Sequence, residues 1–512
     1  MLNTLQIYNN YLVERSLLSV MPELVIVIFA FIVLFLGLFR KLPDNDNSYY
    51  LSLIGIVFSI LYVLMLSNQN INGFFGSVVF DGMDVFVFIA ILFAGLLTIL
   101  MSKKYIEMFN LPLAEYYSLI LFTVAGMMLL VSSVNLIMIF LSIEFMSISA
   151  YILTGYIKGN TRSTEAALKY FILGSFASAF LIFGSVFIYA ATGHLNIYNI
   201  HNFLYTGSSN SGLSASIRDY LSIGLILFLI GLAFKMSLFP FHAWTPDSYD
   251  GAPTTVTNLM ATGIKVAAFA IFIRVFSSIF DSSVFNFYNI LWILSVLTMT
   301  FGNLAALLQT NIKRLLAYSS IAQAGYMLIG IIGGGHYGYT ATLFYLLSYV
   351  FMTAGAFAIV IVFENLNIAS FDIKSYSGIG YKYPLISASM SFFLLALAGI
   401  PVTSGFMGKF YVFSAAIKSN YDWLIFIALL NSALAAFYYI KIIVRMYMIS
   451  NGDADQVELG ESSANMTAIA ANITPSLIIT IIISLIFTLL LGIYPQMFIH
   501  FASQSVTSLW KI

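Results

Sequence analysis

The hydrocarbon core of a bilayer takes a helix in units of about 20 consecutive apolar residues. This sequence divides into about 14 such units, from one centred on Val27 to one centred on Ile483. Most breaks between them are a few residues long, such as Asn68 to Asn72 and Gln309 to Asn311. Peptide groups in lipid must bond within their own segment or within a closed barrel, and runs of this length are helices. The expected fold is therefore an all-α polytopic membrane protein. With 61% hydrophobic and 8% charged residues, little chain is left over for a soluble domain. The first run, Leu17 to Phe39, lacks a basic start and a small-residue cleavage site and reads as a retained helix. The longest polar connections are His194 to Arg218 and Ser450 to Asn472, the second acidic and expected to be a mobile loop.

Several chemistries fall away at once. Basic and acidic residues balance at 21 each, which gives no basic face for nucleic acid. Cysteine is absent, so disulfides, thiolate catalysis and Cys-ligated iron–sulfur clusters have no ligands here. The five histidines, His194, His201, His242, His336 and His500, show no paired spacing for a metal or haem. Electron transfer through this chain is not expected.

Basic residues set the orientation. Connections after odd-numbered spans hold Arg40, Lys41, Lys103, Lys104, Lys158, Arg162, Lys313, Arg314, Lys374, Lys382, Lys441 and Arg445, whereas the other side has Arg15, Arg218, Lys418 and Lys511. Basic residues concentrate on the cytoplasmic side, so both termini are expected on the periplasmic or intermembrane side. Lys169, Lys235, Lys265, Arg274 and Lys409 are left over, inside or beside the apolar spans. A cation at the bilayer centre costs roughly 2.5–3.5 kcal/mol even on mild scales, which marks such lysines as working groups.

Two spans are interrupted. The seventh carries Lys235 and is followed by Pro240 and His242, and the twelfth carries Gly399, Pro401, Gly405 and Gly408 just ahead of Lys409. An odd offset of five spans inverts the second copy relative to the first, the arrangement of transporters whose ion sites lie at discontinuous helices. The expected organisation is spans 1 to 3 over residues 1–110, a first five-helix repeat over 111–280, an inverted second repeat over 281–449, and a polar loop with a last helix over 450–512.

Four stretches in this order, STEAALKYFILGSFASA, KMSLFPFHAWTPDSYDGAPTTVT, NIKRLLAYSSIAQAGYMLIG and AGIPVTSGFMGKFYVF, closely resemble the antiporter-like N subunit of respiratory complex I, subunit 2 in mitochondria. The resemblance implies a proton-translocating subunit in the membrane arm of NADH:quinone oxidoreductase. By position it implies that Glu144 on the fifth span and Lys235 form a coupled pair modulated by Lys169. Lys265 is then the central relay, Lys409 the exit-side site, and His242 a link between Lys235 and Lys265. It further implies no cofactor or metal in this chain, with NADH, FMN, iron–sulfur clusters and quinone handled by partner subunits. The partners implied are neighbouring antiporter-like and small membrane subunits, in a bacterial cytoplasmic membrane by preference, with the mitochondrial inner membrane as the other candidate. PDSYDGAP and IPVTSG depart from the more usual PDVYEGAP and IPPTAG without touching these ionisable positions.

Plainer readings stand beside these roles. Glu144 fits a satisfied structural carboxylate, and Lys169 follows Glu165 at the spacing of a helix-surface ion pair. His242 fits a helix-end histidine. Lys409 lies near a helix end, and Arg274 is expected to snorkel to the interface. The relay chemistry is that burial disfavours a lysine's charged form and a nearby carboxylate restores it, so a moving carboxylate loads or releases a proton. Two other functions share the sequence features: a subunit of a multisubunit cation/proton antiporter, and a secondary transporter of an organic solute. Lysine at position 409 and a chain that ends soon after the fourteenth span favour the N-type subunit.

Overall fold

A computed structural model describes residues 13–39, 45–109, 111–210, 214–280, 287–365, 371–448 and 473–510. Among them, thirteen helices are long and apolar enough to cross a membrane. The twelfth span is divided into Pro384–Ala398 and Ser404–Lys418, each short of a crossing alone, so the spans number thirteen plus one. The protein is a multi-pass, all-α integral membrane protein. The acidic stretch from 450 to 472, Arg40, Lys41 and Lys511 lie outside the described residues.

Burial sorts the spans into a centre and a rim. The eighth (Thr254–Phe280) and eleventh (Gly335–Asn365) are buried along their whole apolar windows, and the tenth (Ile312–Gly333) nearly so. The first (Met21–Phe39), second (Asn45–Met65), sixth (Thr161–Thr192), ninth (Tyr288–Leu307), thirteenth (Asp422–Tyr447) and fourteenth (Pro475–Ile493) present apolar faces outward. Between these layers run the third (Gly82–Met108), fourth (Leu113–Ser132) and fifth (Leu136–Thr154) spans. The sixth span packs along the seventh (Ala215–Met236) through small residues. A methyl group at Gly184 would lie 2.5 Å from the Phe228 backbone nitrogen, so the helices approach as closely as they do only through glycine.

Both interrupted spans break where a residue adopts left-handed backbone. The seventh ends at Ser237 (φ 60) and resumes as the short helix Trp244–Gly251, so the break starts ahead of Pro240. The twelfth stops at Gly399, with φ +91, a conformation that favours glycine. A break inside a membrane leaves carbonyls that need donors. Trp244 Nε1 donates to the Phe234 carbonyl at 3.0 Å, Gln323 Nε2 to Leu397 at 2.9 Å, and Lys409 Nζ to Ala398 at 2.9 Å. The eighth span carries a π-helical turn over Met260–Ile264, directly before Lys265, which sequence reading did not anticipate.

Three other expectations change. The connection after His194 contains a helix, Ile197–Asn210, and Pro495–Thr507 forms a further helix behind the fourteenth span. Arg274 does not snorkel: it is fully buried and ion-paired to Asp81 at 2.8 Å and Asp84 at 3.1 Å. Both aspartates sit where the hairpin of β1 (Ile71–Gly73) and β2 (Val78–Phe80) runs into the third span, and they form its capping box. Two buried carboxylates nearly two hundred residues upstream hold the guanidinium inside, a partnership invisible in the local sequence of the eighth span.

Candidate functional site

Lys235 lies in the last turn of the seventh span with 2% of its surface exposed. Its ammonium donates to Ser147 Oγ at 2.7 Å and lies over the rings of Tyr170 (5.2 Å) and Tyr151 (5.4 Å). Glu144, one turn before Ser147, is half-buried and accepts a short hydrogen bond from Ser178 on the sixth span. Glu144 is near enough for electrostatic attraction to Lys235, yet the two form no direct ion pair. A serine hydroxyl and two aromatic faces therefore hold the ammonium, with the carboxylate standing off.

Lys169 is placed elsewhere. It is 44% exposed and bonded to Glu165 and to Asp247, both at 2.7 Å, and Asp247 also takes Arg314 at 2.8 Å. The spacing pair with Glu165 exists, but it belongs to a network joining the sixth span, the Trp244–Gly251 helix and the tenth span. Burial raises the Asp247 pKa, and the hydrogen bonds from Lys169 and Arg314 outweigh it, leaving the carboxyl below its ordinary value.

His242 is buried, but its ring lies against Phe301 (4.6 Å) and Phe239 (5.4 Å), towards the ninth span. The structure puts aromatic residues where His242 was expected. Tyr170 stacks on Trp244 at 4.3 Å, and Trp244 meets Tyr249 edge-on at 6.1 Å. The hydroxyls of Tyr151, Tyr170 and Tyr249 are buried without a hydrogen-bond partner among the described residues.

Lys265, 1% exposed, donates to the Ser320 carbonyl at 2.7 Å and to its hydroxyl at 2.5 Å, with Tyr349 beneath it at 5.9 Å. From Ser320 the tenth span carries polar groups at helical spacing, Ser319, Gln323 and Tyr326, on a helix buried along most of its length. Ser319 shares a short hydrogen bond with Tyr439, and Gln323 accepts one from Tyr345 while donating to Leu397. Tyr326 lies 4.6 Å beneath the Lys409 ammonium and accepts from Asn303 Nδ2 at 3.1 Å. A methyl group at Gly399 would stand 3.0 Å from Lys409 Cδ, so the glycine that permits the break also makes room for the lysine.

Between Lys265 and Lys409, polar groups thus recur along one face of the tenth span, while tyrosines and a tryptophan lie between Lys235 and Lys265. Ser147, Ser320, Gln323 and Tyr326 were missed in the sequence. The stripe at 319, 320, 323 and 326, one face of an otherwise apolar helix, was the signal available.

Comparison with known proteins gives consistent results. The family described as NADH:quinone oxidoreductase/Mrp antiporter, TM matches residues 133–435. NADH-quinone oxidoreductase subunit N of Trichlorobacter lovleyi is 39% identical over 491 residues, covering 95% of this chain and 96% of its own. The chloroplastic NAD(P)H-quinone oxidoreductase subunit 2 of Mesostigma viride is 35% identical, with 98% of both chains covered. Among solved structures, a chain of respiratory complex I from Thermus thermophilus superposes with a TM-score of 0.71 at 30% identity, over 92% of this chain and 98% of that one. A chain of an archaeal membrane-bound sulfane sulfur reductase shares the fold with a TM-score of 0.83 at 24% identity, covering 96% and 98%.

Proposed function

Because the chain belongs to the NADH:quinone oxidoreductase/Mrp antiporter transmembrane family, we propose that its lysines conduct protons in the membrane arm of an NADH:quinone oxidoreductase. The chain is a subunit of that enzyme and works with other complex I subunits, in which the flavin, iron–sulfur clusters and quinone site reside. A chain without cysteine supplies no thiolate for a cluster, so its own contribution is proton movement without a redox centre. The observation that carries this reading is the presence of three buried ammonium groups, Lys235, Lys265 and Lys409, each held by neutral oxygens and aromatic rings and none by a carboxylate. A lysine kept only for structure would be paired as Arg274 is.

In this reading Glu144 is the movable charge. Its approach stabilises a proton on Lys235 and its retreat towards Ser178 releases that proton inwards. Tyrosine hydroxyls and water carry the proton to Lys265, and the Ser319–Gln323–Tyr326 face carries it on to Lys409. Lys169 acts from outside this line, through Asp247 and the tenth span, and His242 is a packing histidine at the break. We assign the basic side, with Lys313 and Arg314, to the cytoplasm of a bacterium and both termini to the periplasm. We also assign residues 111–280 and 281–449 as the two inverted repeats. Lys235→Ala tests the scheme: the complex purified through a tag on this chain should assemble, while NADH-driven proton uptake into vesicles falls sharply. Full uptake by that variant would refute it.

A further inference from the structure

The line from Glu144 through Lys235 is not the only set of buried polar groups that reaches Lys265. On the eighth span, Thr255, Asn258, Thr262 and Lys265 follow at intervals of three, four and three residues, the spacing of one helix face, and all are buried. Thr255 Oγ1 and Tyr116 Oη lie 2.6 Å apart, and Tyr116 Oη is 3.4 Å from Ser102 Oγ. Ser102 donates to the Thr98 carbonyl at 2.5 Å, Asn258 Nδ2 to Thr98 Oγ1 at 2.9 Å, and Thr262 Oγ1 to the Asn258 carbonyl at 2.6 Å. Polar side chains gathered inside a membrane protein, away from its surface, line ion paths.

This file starts at the end of the eleventh span. Tyr105 Oη donates to Glu364 Oε1 at 3.3 Å and accepts from the Thr254 backbone nitrogen at 3.2 Å. Glu364 Oε2 is buried with no hydrogen-bond partner among the described residues. Lys313, 1% exposed, donates to the Ala252 carbonyl at 2.6 Å and lies over the Phe371 ring at 4.9 Å, within electrostatic reach of Glu364 and Asp250. Tyr376 also feels the Glu364 charge. Lys313 is therefore buried and Glu364 half-buried with its Oε2 enclosed; the two are opposite in charge and within electrostatic reach, yet not locked in an ion pair. Arg274 with Asp81 and Asp84 shows what a locked structural cluster in this protein looks like.

Resting on the relay reading above, we propose that Glu364 with Lys313 is a second proton-loading site, which supplies Lys265 from the basic side along Tyr105, Tyr116 and the Thr255–Asn258–Thr262 face, independently of Glu144 and Lys235. The proton leaves the Glu364 carboxylic acid and arrives on the neutral amine of Lys265. The carboxylate left behind is reprotonated from water on the basic side, so charge and atoms balance.

The test measures NADH-driven proton uptake by the assembled complex in vesicles, normalised to complex content. Glu364→Gln keeps the size and the oxygen that accepts from Tyr105 but carries no exchangeable acid proton, whereas Glu364→Asp keeps the acid and shortens the reach. A second, parallel loading site predicts a partial loss of uptake in Gln, with the Glu144–Lys235 route still working, and a smaller loss in Asp. A structural acceptor predicts the reverse order, which would overturn the proposal. Asn258→Leu should reduce uptake as Gln does, and normal uptake in it would also overturn the proposal. Should Glu364→Gln fail to assemble, Tyr105→Phe decides, since it removes a single hydroxyl and full uptake by it would overturn the proposal. Lys265→Arg is measured beside them. If Lys265→Arg is inactive while Glu364→Gln pumps normally, this entry route is wrong and the relay stands; if Lys265→Arg pumps normally, the relay itself is wrong.

Discussion

Replacing Arg274 by Leu should be among the most damaging single changes in the chain, although Arg274 lies off the proton line. The guanidinium makes contacts of 2.8 and 3.2 Å to Asp81 and 3.1 Å to Asp84, and all three side chains are fully buried. Removing it strands two carboxylates beside each other, and breaking a buried pair from one side costs about 3–5 kcal/mol. Whole domains are stable by only about 5–15 kcal/mol, so a loss of that size should be visible as reduced abundance. The aspartates hold themselves in place by other bonds. Asp81 Oδ1 accepts from Met83 and Asp84 backbone nitrogens at 2.8 and 3.1 Å, and Asp84 Oδ2 from the Asp81 nitrogen at 2.9 Å. Asparagine at both positions retains an amide oxygen for these caps without the charge. The combination Asp81→Asn, Asp84→Asn, Arg274→Leu should therefore recover much of what Arg274→Leu loses, with a coupling of about 3 kcal/mol. The assay is thermal denaturation of the detergent-solubilised complex together with its abundance in membranes. An Arg274→Leu complex as abundant and heat-resistant as the unaltered one, or a triple variant worse than the single, would refute this reasoning.

Two further outcomes follow from particular contacts. Gly399→Ala forces a side chain into left-handed backbone, at about 1–2 kcal/mol, and sets its methyl 3.0 Å from Lys409 Cδ; proton uptake should fall more than complex content, and equal falls would show that only the fold was hurt. For Asp247 the folded carboxyl lies below its ordinary value, so its contribution to stability is fully present above the unfolded carboxylate range and is lost as pH falls through the folded value. The difference in heat resistance between Asp247→Asn and the unaltered complex should therefore be constant from pH 8 to about 5 and narrow only below about 4; narrowing near neutrality would contradict the assignment.

Much of the architecture was legible because bilayer thickness imposes a repeat length that no tertiary contact overrides. The same holds for the glycines of the twelfth span and the buried positions of Lys235, Lys265 and Lys409, since apolar helices advertise a lone charge. What escaped were partnerships across long sequence separations. Arg274 read as a snorkelling residue because it lies near the end of the eighth span, and nothing in that stretch points to Asp81 and Asp84. The resemblance implied His242 as a link between Lys235 and Lys265, and sequence position alone does not say that its ring lies against Phe301 and Phe239 at the break. The π-helical turn before Lys265 has no sequence signature separate from an ordinary helix. The stripe from Ser319 to Tyr326 was readable, but serine and tyrosine on an apolar helix draw less notice than charge.

The claim that a proton resides on and leaves Lys265 is tested most directly by comparing Lys265→Ala with Lys265→Arg. Alanine packs in a helix and removes the titrating group, so the complex should assemble and NADH-driven proton uptake should fall. Arginine keeps a cation that Ser320 and Tyr349 are placed to hold, yet does not release its proton at any working pH. Uptake by the Arg variant, normalised to complex content, should be nearly as low as that of the Ala variant; full uptake by the Arg variant would contradict the account.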